Sequence, residues 1–153
     1  MLLAGLRLSL PITTVLAVMS CGTTGPNDLR MAQLLVRTDK PAYSLALDRA
    51  ARATLVNQGS ISIYAPMNEY VYVEQWSGDR WINRLPWFAV DGNGVSFTIA
   101  PGDSLAALPM DFGYINNRAG VYRFVFEVAL DPEGRHLLPE AERVSPPFEL
   151  TSE

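Results

Sequence analysis

The chain has 153 residues, 48% of them apolar and 18% charged, a balance that excludes a disordered polyampholyte and predicts a folded chain. Its formal charge is −4; setting aside residues 1–20, with Arg7, takes 12 basic residues to 11 against 16 acidic ones, which argues against a basic groove for nucleic acid. Cys21 and His136 are the only cysteine and histidine, so an internal disulfide, a Cys-based zinc site, a CxxC redox pair and a His-rich metal cluster are all excluded.

Residues 1–20 open with a single positive residue, Arg7, followed by an apolar run through Leu8, Leu10, Ile12, Val15, Leu16, Ala17, Val18 and Met19. This is the pattern of a secretory signal peptide and not of a fold element. Its end, Leu16-Ala17-Val18-Met19-Ser20-Cys21, has an aliphatic residue three before the cysteine and a small one immediately before it. It resembles the bacterial lipoprotein signal, although Met19 is larger than the commonest residue at its position. The resemblance implies acylation of Cys21, with diacylglycerol on the thiol and a fatty acid such as palmitate on the new amino terminus. It also implies a lipid-anchored protein of the bacterial cell envelope, at the outer membrane if the cell has two membranes. Residues 21–28, with Gly22, Gly25, Pro26 and Asn27, offer no apolar face to bury and read as a short flexible tether.

From there the chain reads as short strands. A first strand is predicted over Leu29–Thr38, ending or changing sheet at Asp39-Lys40-Pro41, because proline has a fixed φ and no donor. It resumes at Tyr43–Leu45. Between Ala51 and Val56 the residues Ala51, Ala53 and Leu55 alternate with Arg52 and Thr54, which predicts a strand ended by Asn57-Gln58-Gly59-Ser60. Ser60–Tyr64 alternates again. Asn68–Trp76 places Tyr70, Tyr72 and Trp76 on one face and Val71 and Val73 on the other, so periodicity alone leaves the core face open. Ser77-Gly78-Asp79 predicts a hairpin into Arg80–Asn83, and Asp91–Gly94 predicts a turn into Val95–Ala100. A short strand around Leu105–Leu108, and a turn at Asn116–Gly120, precede the clearest strand of all. In Gly120–Val128, Tyr122, Phe124, Phe126 and Val128 form one apolar row opposite Arg123 and Glu127. Asp131–Glu142 reads as a polar loop with a helical turn, and Arg143–Leu150 as a last strand whose Pro146 and Pro147 demand an edge or a bulge.

About seven or eight such strands predict an all-β sandwich over residues 29–151. Thr38-Asp39-Lys40 with Tyr43, Ala53–Asn57, Glu74 ahead of Gly78–Trp81, Ile99–Ser104, Ala119–Phe124 and Ser145–Phe148 together resemble the bacterial immunoglobulin-like domains of lipoproteins and envelope proteins. That resemblance implies a Greek-key sandwich in which Tyr122 is the tyrosine-corner residue and Phe124 stands where antibody domains carry a disulfide cysteine. It carries no catalytic residues, so no enzyme activity and no cofactor are expected.

Candidate chemistry is sparse. Asp91-Gly92-Asn93-Gly94 begins like a calcium loop, but the twelfth residue is Gly102 and not a bidentate glutamate, which favours a hairpin and no metal site. Asp103, Asp111, Asp131 and Glu133 read as turn carboxylates, and His136 as an exposed loop histidine, since no nucleophile motif accompanies it. Of the aromatic residues, Trp81 and half the tyrosines are expected in the core. Trp87-Phe88, behind Leu85-Pro86, has no strand to justify it and is the candidate contact patch for an envelope protein or a glycan. The sequence therefore reads as a lipid-anchored, non-enzymatic binding or scaffolding module. The alternative is a proteinase inhibitor of β-sandwich type, with Leu85–Asn93 as its protruding loop.

Overall fold

The computed structural model describes residues 31–66, 71–86, 96–107 and 109–153. Residues 1–20, read as a signal peptide, residues 21–28, read as an acylated Cys21 and tether, Trp87, Phe88 and most of the proposed inhibitory loop, and the predicted turn at Asp91–Gly94 lie outside the described residues. Those described form an all-β chain with two short 3-10 turns.

Two sheets account for most of the strands. The first contains β1 (Leu34–Thr38), β4 (Ala53–Asn57) and β9 (Ser104–Ala106), in the order β1-β4-β9. The second contains β2 (Ala42–Ser44), β6 (Val71–Trp76), β7 (Trp81–Pro86), β11 (Gly120–Phe126) and β12 (Phe148–Thr151), in the order β2-β12-β11-β6-β7. Two small ladders complete it: β3 (Ala50–Ala51) with β10 (Met110–Asp111), and β5 (Ile63–Pro66) with β8 (Ser96–Ile99). The chain passes between these two sheets after β1, β2, β4, β7 and β9, which is the Greek-key order of an immunoglobulin-like sandwich.

Asp39-Lys40-Pro41 carries the chain from the first sheet to the second, so of the two options open at this proline the sheet change is realised. The Tyr43 hydroxyl donates to Asp39, whose carboxylate also accepts the Arg52 N–H at 3.1 Å and pins the crossing to the start of β4. Beyond it, β2 runs parallel to β12. At the other end of the sequence, β11 pairs Tyr122 with Phe148 but Val125 with Val144, a one-residue change of register. Pro146-Pro147 occupies that shift, so the prolines mark a bulge and not a sheet edge. The Ser145 hydroxyl accepts the Phe124 N–H at 2.9 Å beside it.

The row Tyr122, Phe124, Phe126 and Val128 is buried, as its period of two requires. Phe148 is its hub: its ring lies 5.0 Å from Phe124, 5.6 Å from Tyr43 and 6.1 Å from Tyr122. Val71 and Val73 are buried while Tyr72 is half-buried, which makes the valine side of β6 the core face. The Tyr122 hydroxyl donates to the Arg118 carbonyl at 2.8 Å, the tyrosine corner implied by the resemblance.

Two expectations are corrected. The first strand begins at Leu34 and not at Leu29, because the Met31 carbonyl is taken by the N–H groups of Ser60 and Ile61 and not by a ladder. Trp81 is half-buried and not core: it lies on the outer face of β7, with the Arg123 guanidinium 4.6 Å from its ring centre. Among the described residues the buried tyrosines are Tyr43 and Tyr122, whereas Tyr64 and Tyr72 are half-buried and Tyr114 is exposed.

The sandwich has two distinct ends. Met31, the 58–61 turn and the segment 129–139 gather at one, as the bridges of Ala129 to Tyr64 and Leu137 and the bonds from Met31 show. The β6–β7 turn, the 116–119 turn and the carboxyl terminus lie at the other, because β6, β11 and β12 turn or begin there.

Candidate functional site

The second sheet has five strands and the first only three, so the inner faces of β6 and β7 extend past the sheet opposite. The segment after β10 fills part of that space. Asp111 caps a 3-10 turn over Phe112–Ile115, its carboxylate accepting the Gly113 N–H at 2.7 Å. Asn116 and Asn117 then adopt φ of 56° and 49°, the left-handed region that asparagine tolerates better than most residues. That reversal turns the chain into β11 and leaves a cleft of about 240 Å³ between the 3-10 turn and the sheet.

Val73, Gln75, Leu85, Tyr114, Ile115 and Tyr122 line the cleft. Val73 and Leu85 are cross-strand partners, and Gln75 lies next to Tyr122 across β6 and β11. The Tyr114 hydroxyl donates to the Pro86 carbonyl, tying the turn to the end of β7. Burial pushes the Tyr122 phenol above its ordinary value, and nearby Arg118 opposes that only in part, so Tyr122 is a neutral hydroxyl at physiological pH. The cleft is thus an apolar recess with an amide at Gln75 and the Arg118 side chain at its border. It is built to hold a small apolar or aromatic group.

On the other face of β6 the same end of the sheet carries a second aromatic feature. The rings of Trp76 and Trp81 lie 5.2 Å apart at 59°, brought together as cross-strand partners on either side of the Ser77–Arg80 turn. Arg123 bridges the mostly buried Glu74 at 2.7 Å and Glu140 at 3.5 Å. Its charge is thereby balanced within the sheet, and its flat guanidinium supports Trp81. Trp87 and Phe88, the contact patch read from the sequence, lie outside the described residues; among those described, Trp76 with Trp81 forms a paired aromatic surface. The signal available was the W-turn-W spacing across the predicted hairpin.

The other candidates remain apart. Asp131 lies in the loop after β11 and accepts the N–H groups of Arg135 and His136 at 3.1 and 2.8 Å, and the His136 Nδ1 lies 2.9 Å away. Desolvation pushes the Asp131 carboxyl up, but these donors outweigh it and hold the group well below the usual carboxylate range. Asp111 caps the 3-10 turn, and Asp103 reaches Asn57 only through its backbone. Among the described residues no three His, Cys, Asp or Glu side chains are placed to hold a metal ion.

No protein-family model and no curated protein matches the chain. Among solved structures it is similar to the ASH / PapD-like domain of human CEP192 (PapD-like domain 7), at 15% identity and a TM-score of 0.28, over 92% of this chain and 94% of that one. The immunoglobulin-like class rests on the chain's own strand order.

Proposed function

We propose that the protein is a non-enzymatic binding module, held to a bacterial envelope membrane through acylated Cys21, that takes an envelope partner at the end of the sandwich farthest from its tether. The cleft between the 3-10 turn and β6–β7 carries this reading. It is apolar, sized for one side chain or sugar-sized group, and flanked across β6 by the Trp76–Trp81 pair. A recess beside surface tryptophans, here an exposed Trp76 and a half-buried Trp81, is how interfaces anchor a few high-energy contacts.

The test is photo-crosslinking in cells from a reactive residue at Tyr114 or Leu85, with the exposed Arg135, at the opposite end of the sandwich, as the control position and Cys21→Ser as the unanchored control. The reading expects one envelope component joined from Tyr114 and Leu85, absent from Arg135 and lost when Trp81 is changed to alanine. Equal yield from all three positions refutes it. Inhibition of a protease panel at low micromolar concentration would instead favour the inhibitor reading.

A further inference from the structure

The end of the domain next to the tether is apolar. Met31 is 46% exposed, Leu130 43% and Leu137 39%, and Met31, Ile61 and Leu130 share an open groove of about 300 Å³ with Leu138 and Pro139. These side chains stand on fixed backbone: the Met31 carbonyl accepts from Ser60 and Ile61 at 2.8 and 2.9 Å, Leu130 donates to His136 at 2.8 Å, and Leu138 donates to Val128 at 2.9 Å. The surface is therefore held in shape before anything covers it.

We infer that this end lies on the lipid surface, and that the sandwich is docked on its membrane rather than swinging on a free leash. The inference rests on the anchored reading of Cys21. Nine residues, 22–30, lie between Cys21 and Met31, so the chain from one to the other reaches at most about 35 Å, and Met31 is itself part of the apolar face. A surface tethered so closely meets the membrane at high effective concentration, so a few apolar side chains are enough to keep it there. The charged groups alongside are of both signs: Arg135 pairs with Asp131 and Glu133, His136 with Asp131, and Glu142 borders the groove. No excess of positive charge points at anionic headgroups, so docking is apolar and insensitive to salt. It directs the cleft and the Trp76–Trp81 pair away from the bilayer.

The experiment uses the full-length acylated protein in phosphatidylethanolamine–phosphatidylglycerol vesicles. Because acylation occupies the one native thiol, cysteines introduced as Leu130→Cys, Leu137→Cys or Leu47→Cys accept a polarity-sensitive fluorophore at a single place. Nitroxide lipids labelled near the headgroup should quench positions 130 and 137 about threefold more than position 47, consistent with insertion about 5–10 Å below the surface. The difference should survive raised salt, and a label on Met31→Cys should likewise be quenched more than position 47 until Leu130 and Leu137 are both replaced by serine, which should abolish that excess. Flotation of the protein with vesicles but equal quenching at 130, 137 and 47 overturns the docking and leaves the anchor standing. Failure to float, with no acyl mass on Cys21, overturns the anchored reading and the docking with it.

Discussion

Asn57 ends β4 and is fully buried, and its side chain clasps three backbone groups. Its Nδ2 donates to the carbonyls of Ile61 and Ile99, both at 2.8 Å, and its Oδ1 accepts the Gly59 N–H at 2.9 Å. It joins β4, the turn that follows and the end of β8 at the Met31 end of the sandwich. Asn57→Ala removes all three bonds. The Ile61 and Gly59 partners lie near enough to the surface to find water, at about 0.5–1.5 kcal/mol each, while the enclosed Ile99 carbonyl loses about 1–3 kcal/mol. The sum is about 3 kcal/mol from a stability of about 5–15 kcal/mol. In a domain of this size that lowers the melting temperature by about 10–15 °C. Urea unfolding should show the midpoint fall with an unchanged slope. Asn57→Asp should cost at least as much at neutral pH, because a carboxylate would face two carbonyl oxygens, and should recover in part as the medium is acidified. A loss under about 1 kcal/mol for Asn57→Ala, with Asp no worse, would refute the clasp.

Four further outcomes are expected. Gly59→Ala would place its Cβ 2.6 Å from both the Gln33 nitrogen and the Met31 oxygen, a backbone clash that should cost about 2 kcal/mol or more by thermal melting. Arg123→Leu alone removes the 2.7 Å ion pair to the mostly buried Glu74 and should cost about 1–3 kcal/mol, whereas Arg123→Leu with Glu74→Leu should return to within about 1 kcal/mol of the parent in a double-mutant cycle. Burial, aided by the Asp39 bond, pushes the Tyr43 phenol up, and burial does the same to Tyr122. Both phenols ionise more readily in the unfolded chain, so their contribution is complete below about pH 10 and lost as pH rises beyond it. A spectrophotometric titration should show two tyrosines ionising only with unfolding. For Asp131 the sign is opposite: its depressed value means the loop is held above the ordinary carboxylate range and released as pH falls below it. Exchange of the Arg135 and His136 amides should report the release.

Some of this architecture was legible from local pattern. Period-two rows depend on nothing beyond neighbouring residues, so β11 and its buried face, the alternation of Ala51, Ala53 and Leu55, and the hairpin at Ser77–Arg80 could be read directly. The proline arguments held for the same reason: a residue without an N–H cannot donate to a ladder, so Pro41 and Pro146-Pro147 fall where ladders break, and Pro66 and Pro86 take the last positions of β5 and β7. The sequence alone thus determined an all-β chain, its turn chemistry and most of its strands.

Which faces meet, and what they leave uncovered, belonged to the tertiary structure. Val71–Trp76 is apolar on both faces, and only the packing of β11 beside it makes the valines core and places Trp76 outside. Trp81 looked like core because its size and polarity suit a core, but its place opposite Trp76 puts it over Arg123 on the outer face. Asn57 looked like a turn residue, and its side chain instead satisfies buried backbone from two other segments. The cleft exists because five strands overhang three, and the apolar end around Met31 exists because Met31, Ile61 and Leu130 converge from distant parts of the chain. Both are sums over long-range contacts, which periodicity along a single strand does not encode.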